Sequence, residues 1–320
     1  MPTLKEMYAE AVELGIDADP RGRDGVQKLL ARRKKEYDGL SEKQKEEYHE
    51  EDLWDPYIDS GIFAGDPDKE VKKIMAGIDI DVGEVAIAGL MNQQGAGIDA
   101  LVAHHPQAKA YAALHEVMEM QSENMARYGV PINVAEGIMR ERINEVARKI
   151  SPRNHTQAVD SAKLLNLSYV CTHTIADNLV FRFLEDLFNE KSAETVGDVI
   201  AILKEIPEYQ VAMKSKAGPT LFSGNEKNRT GKIAPLEITG GTEGSPLIYE
   251  KFAQAGVGTI IAMHASEEHR TEAMKNHINL VIAGHMSSDS IGMNLVLDKF
   301  EAKGIEIVPT SGLIRVSRNK

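Results

Sequence analysis

The chain of 320 residues has little cysteine and no long apolar run. Its single cysteine, Cys171, excludes an internal disulfide framework and a cysteine-rich zinc site, and it fits a reducing compartment. The longest apolar runs, such as residues 278–283, are far shorter than the roughly 20 residues that a membrane-spanning helix needs. The first ten residues also lack the apolar core of a secretory signal. We therefore predict a cytoplasmic protein that does not cross a membrane.

Basic residues are outnumbered as well, because the chain has 37 of them and 49 acidic residues, which gives a net charge of -12. This balance argues against binding of the phosphate backbone of nucleic acids as the main activity. The most basic run is residues 32–35, which is the alternative candidate for a nucleic-acid arm. Because an acidic stretch follows at residues 42–51, we expect the two to offset each other on a solvated helix.

Three regions with different patterns follow one another along the chain. Residues 1–51 predict a helical extension, since apolar residues are sparse and both charges are frequent from Arg21 onward. Residues 52–185 predict a first α/β domain with a helical insertion at about 107–155, and residues 186–320 predict a second. The last segments of the second domain are candidates to complete the first. Short apolar runs that alternate with helical patterns favour this α/β class, and the predicted strands are 71–80, 97–103, 167–171, 258–263, 278–283 and 305–309.

Histidines and aspartates follow three of these strands at the point where each strand stops. His104 and His105 follow residues 100–103, Asp177 comes six residues after residues 169–171, and His285 and Asp289 follow residues 280–283. The carboxyl ends of strands in an α/β sheet meet at one edge, where ligands bind. We expect helices to start near residues 178 and 288, which places Asp177 at a helix N-terminus, where a carboxylate is favoured. We therefore expect these side chains to converge.

Imidazole nitrogens and carboxylate oxygens are the ligands of divalent transition metals such as Zn, Fe, Mn, Co or Ni. Five donors (His104, His105, Asp177, His285 and Asp289) exceed the needs of one open tetrahedral ion and suit two ions bridged by a carboxylate. The alternative at each position is a histidine that is hydrogen-bonded without metal. Cys171 is a weaker candidate, as a nucleophile, and a small buried residue is the more common role for such a cysteine.

Four segments resemble motifs of the NIF-three-like family, also described as homologues of GTP cyclohydrolase I type 2. Residues 59–62 and 77–79 resemble an early Asp-containing element and a strand that ends in Asp. Residues 102–106 match the His-His-Pro signature, and residues 173–177 are similar to its His-Thr-x-x-Asp motif. Residues 283–289 resemble a Gly-His-x-x-Ser-Glu motif, in which Asp289 replaces the glutamate.

The resemblance implies two interwoven α/β domains with mixed sheets, a dinuclear metal centre on the same five residues, and a homohexameric ring. We therefore predict a hydrolase that uses two divalent transition metal ions and acts on a small molecule, with a nucleotide such as GTP as one candidate. His173, Glu268 and His269 are the predicted residues for proton transfer or support of the ligands, because each lies beside a proposed ligand or a strand end. The alternative is a metal-binding oligomeric scaffold without turnover.

Overall fold

The computed structural model describes residues 1–319, which form an α/β fold with two mixed sheets and helices packed on both. This architecture confirms the predicted fold class. The first sheet has the strand order β1-β4-β3-β2-β9, and the second has the order β5-β8-β7-β6. The strands are β1 (Ser60–Ala64), β2 (Lys73–Gly77), β3 (Ala100–Ala103), β4 (Ser168–Thr172), β5 (Thr220–Ser223), β6 (Lys232–Pro235), β7 (Val257–Ala262), β8 (Asn279–Ile282) and β9 (Glu306–Thr310).

The central strands of both sheets are parallel and buried on both faces, whereas β1 and β5 are antiparallel edge strands. Parallel strands with both faces covered read as continuous apolar runs, which is why the sequence predicts them. In the first sheet Ala103 of β3 lies opposite Cys171 of β4, so the residues after both strands emerge at one edge.

The helices surround and separate the two sheets. They are α1 (Leu4–Ala18), α2 (Gly22–Asp38), α3 (Glu42–Glu46), α4 (Val82–Gln93), α5 (Ala108–Ala112), α6 (Leu114–Val117), α7 (Glu119–Arg127), α8 (Ile132–Ile150), α9 (Gln157–Leu164), α10 (His173–Glu190), α11 (Val196–Leu203), α12 (Pro207–Lys214), α13 (Ile248–Gln254), α14 (Glu267–Lys275) and α15 (His285–Ala302). Within residues 1–319, none of these helices is long and apolar enough to span a bilayer.

Helices α10 and α15 form a central layer that both sheets share. Ile175 of α10 packs in the core of the first sheet, whereas Val180 and Phe181, further along the same helix, pack in the core of the second. Gly292 allows α15 to approach α10 closely, because a Cβ there would lie only 2.2 Å from the carbonyl oxygen of Ala176. Residues that begin these two helices are therefore held between the sheets.

The predicted N-terminal extension divides into two parts in the structure. Helix α1 packs against α10, with Leu4, Met7 and Ala11 buried in the first core, so it belongs to the body of the protein. Helix α2 buries only Val26 and otherwise matches the expected solvated helix. The difference arises because the charged pattern begins at Arg21, after α1 has ended.

Candidate metal centre

The three predicted strand ends meet in one place. His104 and His105 follow β3, while α10 and α15 begin directly at His173 and His285. Because residues four apart share one face of a helix, Asp177 and Asp289 point to the same side as the histidine that begins each helix. The structure therefore brings together all five residues predicted as ligands, and it adds His173 to them.

Both helices begin earlier than the sequence predicts, since the expected starts are near residues 178 and 288. Asp177 thus lies one turn inside α10 and not at its N-terminus, which corrects the predicted placement. The chain enters α15 through Gly284, which has a φ of +115°. A side chain there would be strained, and its Cβ would lie only 2.6 Å from the carbonyl oxygen of Ala217, so the position requires glycine. The first turns of α10 and α15 are polar and resemble a loop in composition, so the sequence pattern does not indicate that they are helical.

The separations between donor atoms match those of ligands around a shared ion. His104 Nε2 lies 3.5 Å from Asp177 Oδ1 and 3.6 Å from Asp289 Oδ1. Asp289 Oδ2 lies 3.6 Å from His105 Nε2 and 3.5 Å from His285 Nε2. These distances are too long for good hydrogen bonds. Two tetrahedral zinc ligands with bonds of about 2.1 Å would lie about 3.4 Å apart.

Two overlapping groups of three residues have donor atoms within 4.8 Å of one another. One consists of His104, His105 and Asp289, and the other of His104, His173 and Asp177. A single imidazole nitrogen binds one ion, so His104 cannot complete both groups at the same time. A second ion would need a bridging carboxylate, as in dinuclear enzymes.

The protonation of the cluster fits a divalent cation. Asp177 Oδ1 and both carboxylate oxygens of Asp289 are buried and accept no hydrogen bond from the described residues. Burial raises the pKa of Asp177 to about 7, and burial and then the charge of Asp177 raise the pKa of Asp289. Burial and then His264 lower the pKa of His285 to about 3, so its imidazole is neutral and able to bind metal. Uncompensated carboxylates beside neutral imidazoles are the donor set that a metal ion stabilises.

Carboxylates behind the cluster orient two of the histidines. The Nδ1 atom of His105 donates to Asp79 Oδ1 at 2.7 Å, and that of His173 donates to Asp59 Oδ2 at 2.7 Å. Each contact leaves Nε2 facing the cluster, as outer carboxylates do in metal sites. Thr174 also donates to Asp59 Oδ2, so this carboxylate is itself held in place.

We expect the Asp59→Asn variant to bind divalent metal roughly 10- to 100-fold more weakly, because His173 loses the acceptor that sets its orientation. Competition with a chromogenic chelator measures the affinity. The matched control is Asp68→Asn, at an exposed position away from the cluster. Equal affinities for the two variants would show that Asp59 has no part in metal binding.

Three other residues singled out in the sequence do not line the cavity at the donors. His269 is buried, and its ring nitrogens contact Ser266 Oγ at 2.6 Å and Gly244 O at 3.1 Å, so neither faces the cluster. Glu268 is exposed on α14. Cys171 is buried in β4, where burial raises the pKa of its thiol to about 12, which disfavours a nucleophilic thiolate.

Sequence reasoning missed His264 and Glu243. His264 comes two residues after β7, and its ring centroid lies 4.5 Å from that of His285. Its Nδ1 atom contacts Glu243 Oε1 at 2.7 Å. The pattern of a histidine after an apolar strand is present here as well, and it could have identified His264. Glu243 lies in a loop and has no such signal.

The cluster faces a small cavity closed by residues 237–243. The space open to water within it is about 30 Å³, and one water molecule needs about 10 to 15 Å³ of such space. Gln121 Nε2 donates to the carbonyls of Gly240 and Thr242 at 2.7 and 2.6 Å, which ties this loop to α7. These two hydrogen bonds hold the loop against the cavity.

Comparison with known proteins identifies the fold. No protein-family model matches the chain, and no curated protein matches it. A NIF3 superfamily protein from Sphaerobacter thermophilus superposes with a TM-score of 0.72 and 23% sequence identity, over 96% of this chain and 98% of that chain. The chain therefore has the NIF3-like fold, which confirms the resemblance drawn from the motifs.

Two further solved structures are more distant. Reduced HcgD from Methanocaldococcus jannaschii gives a TM-score of 0.47 and 16% identity, over 83% of this chain and 94% of that chain. A Bacillus cereus protein related to NIF3 gives 0.45 and 9% identity, over 100% of this chain and 99% of that chain.

Proposed function

We propose that this chain is a hydrolase of a small molecule that depends on two divalent transition metal ions. His104, His105, Asp177, His285 and Asp289 are the proposed ligands. The observation that carries this proposal is the pair of buried carboxylates, Asp177 and Asp289, whose free oxygens lie 3.5 to 3.6 Å from imidazole nitrogens.

Bound divalent ions supply Lewis acidity, which polarises a scissile bond and makes water acidic enough to attack near neutral pH. His173 is the proposed proton-transfer residue, because it lines the same cavity with its Nε2 3.9 Å from Asp177 Oδ2. Burial opposes its protonation, yet Asp177 and Asp59 together raise the pKa of His173 to about 9. The His173 ring is therefore protonated at neutral pH while no metal is bound.

The cavity wall bears on the class of substrate. Glu237 and Glu243 line it, and none of its lining side chains in the described part of the chain is lysine or arginine. Carboxylates accept hydrogen bonds from N–H groups and repel phosphates. We therefore place compact heterocycles and amides with N–H donors ahead of nucleoside triphosphates, and we keep GTP in the set to be tested.

Metal binding should release protons and strengthen as the pH rises toward 7. The pKa of Asp177 is raised to about 7 by burial, so below that pH a metal ion must displace its proton. We expect the affinity to fall by up to about tenfold per pH unit below 7 for this one proton. Calorimetry in buffers of different ionisation enthalpy measures the release. A pH-independent affinity between about pH 5 and 7 would contradict the proposed role of Asp177.

A turnover screen separates the enzyme from the metal-binding scaffold. Metal-loaded protein is assayed against cyclic amides, phosphoesters and nucleotides, beside His105→Ala and the exposed control His49→Ala. Turnover that is lost in His105→Ala and kept in His49→Ala supports the hydrolase. Metal binding without turnover of any compound favours the scaffold.

We also propose that the chain assembles with copies of itself, as the resemblance implies, in the cytoplasm. Sedimentation equilibrium measures the mass directly. A hexamer would sediment at six times the chain mass of 35.2 kDa. A monomer at micromolar concentration would refute the ring.

A further inference from the structure

A second and larger cavity opens beside the edge strand β1. Its volume is about 600 Å³, which lies in the usual range for sites that bind small molecules. β1 pairs with β4 on one side only, and the cavity lies along residues 60–65 of this strand. This cavity and the cavity at the metal ligands share no lining residue, so the two cavities are distinct.

Aromatic side chains form the apolar part of this cavity. Tyr8 and Trp54 line it with their rings 6.2 Å apart and nearly perpendicular, and Phe63 of β1 adds a third ring. Trp54, the only tryptophan of the chain, is 41% exposed. Exposed aromatic surface inside a concave site favours a flat, apolar ligand.

Three polar side chains that line the cavity have no partner among residues 1–319. Ser60 is only 7% exposed, and its Oγ atom makes no hydrogen bond with any described residue. Buried hydroxyls are normally hydrogen-bonded, so this one calls for a partner from outside the chain. Lys5 and Lys163 also line the cavity, and neither forms an ion pair within residues 1–319. Of the carboxylates in the lining, Asp52 is paired with Lys109 at 2.6 Å and Asp55 accepts a hydrogen bond from Tyr8, so only Glu51 opposes the two lysines.

We propose that this cavity is a binding site for a small molecule that combines a planar aromatic body with an anionic group. The rings of Tyr8, Trp54 and Phe63 contact the flat body. Lys5 and Lys163 supply the positive charge that attracts the anion, and Ser60 Oγ supplies a hydrogen bond.

Two fluorescent probes test both parts of the proposal with the full-length protein. Anilinonaphthalene sulfonate is aromatic and anionic, and N-phenylnaphthylamine is its neutral analogue. Energy transfer from Trp54, the only tryptophan, reports a probe bound in its neighbourhood, and the comparison of variants assigns the binding to this cavity. The test variant is Lys5→Glu/Lys163→Glu, and the matched control is Lys28→Glu/Lys299→Glu, which changes two exposed lysines outside the cavity. All four positions are exposed, so the variants should fold.

We expect the charge reversal to weaken binding of the sulfonate by roughly tenfold, from two ion pairs of ordinary surface strength, and binding of the neutral probe by less than about twofold. The control should leave both affinities unchanged. Phe63→Ala should weaken the binding of both probes. Equal sulfonate affinity in test and control variants would overturn the proposal. Bound probe without transfer from Trp54, or no binding of either probe because another copy of the chain covers the cavity, would overturn it as well.

Discussion

Replacement of His104 by alanine is expected to release one metal ion and to weaken binding of the other. His104 is the one residue that the two candidate groups share. It is only 1% exposed, so a water molecule cannot easily take the place of the lost imidazole as a ligand. Loss of an outer residue typically costs 10- to 100-fold in metal affinity, and we expect loss of this ligand to cost more than about 100-fold. Elemental analysis after dialysis against buffered metal gives the number of ions per chain.

His105→Ala is the matched comparison for this result. His105 belongs to only one of the two groups and is partly exposed, so its loss should leave roughly one ion of two. A His104→Ala protein that retains both ions would show that the groups around Asp177 and Asp289 bind metal independently of this residue.

Replacement of Asp289 by asparagine is expected to have opposite effects on metal binding and on the stability of the metal-free protein. The variant should lose metal-dependent stabilisation, because neither amide atom carries the charge of the carboxylate. Without metal, however, Asp289 is a buried carboxylate whose pKa is raised by desolvation and by Asp177. In chelator at about pH 8 we therefore expect the variant to be more stable than the native protein by about 1–3 kcal/mol.

The size of this effect depends on pH. A raised pKa in the folded protein means that the cost of the charged group is full above that pKa and vanishes below the ordinary aspartate value. The advantage of Asp289→Asn should thus shrink as the pH falls toward about 4. Urea unfolding in chelator at several pH values measures it.

Asp298 on the same helix provides the control. It is also buried but forms an ion pair with Arg315 at 2.7 Å and accepts a hydrogen bond from the backbone of Arg318. Asp298→Asn should therefore destabilise the protein by about 1–3 kcal/mol with or without metal. Equal losses of stability in both variants under chelator would show that Asp289 is satisfied by the protein alone.

The sequence predicts the inner strands and the edge strand β9, and it misses the other three edge strands, β1, β5 and β6, for a physical reason. β3 and β8 are buried on both faces and are continuous apolar runs. β1, β5 and β6 are partly exposed, and Lys232–Pro235 even contains lysine and proline, so no apolar pattern marks them. Their place in a sheet is decided by pairing with remote strands, which local sequence does not contain.

The site residues also divide into those that the local sequence predicts and those that it does not. The histidines next to apolar strands could be predicted, because the end of a buried strand fixes where the next residue emerges. The outer carboxylates Asp59 and Asp79 are visible only as parts of motifs, and their contacts with His173 and His105 depend on how the sheet twists. Glu237 and Glu243 could not be predicted, since their loop is positioned by α7, more than 100 residues earlier in the chain.

Anomalous diffraction from crystals of protein purified without chelator, combined with elemental analysis, is the most direct test of a paired-ion centre. We predict two peaks about 3.5 to 4 Å apart, one beside His105 and Asp289 and the other beside Asp177, with at least one of them absent from His104→Ala crystals. A protein that contains no transition metal, or that binds it away from these side chains, would contradict the proposed centre.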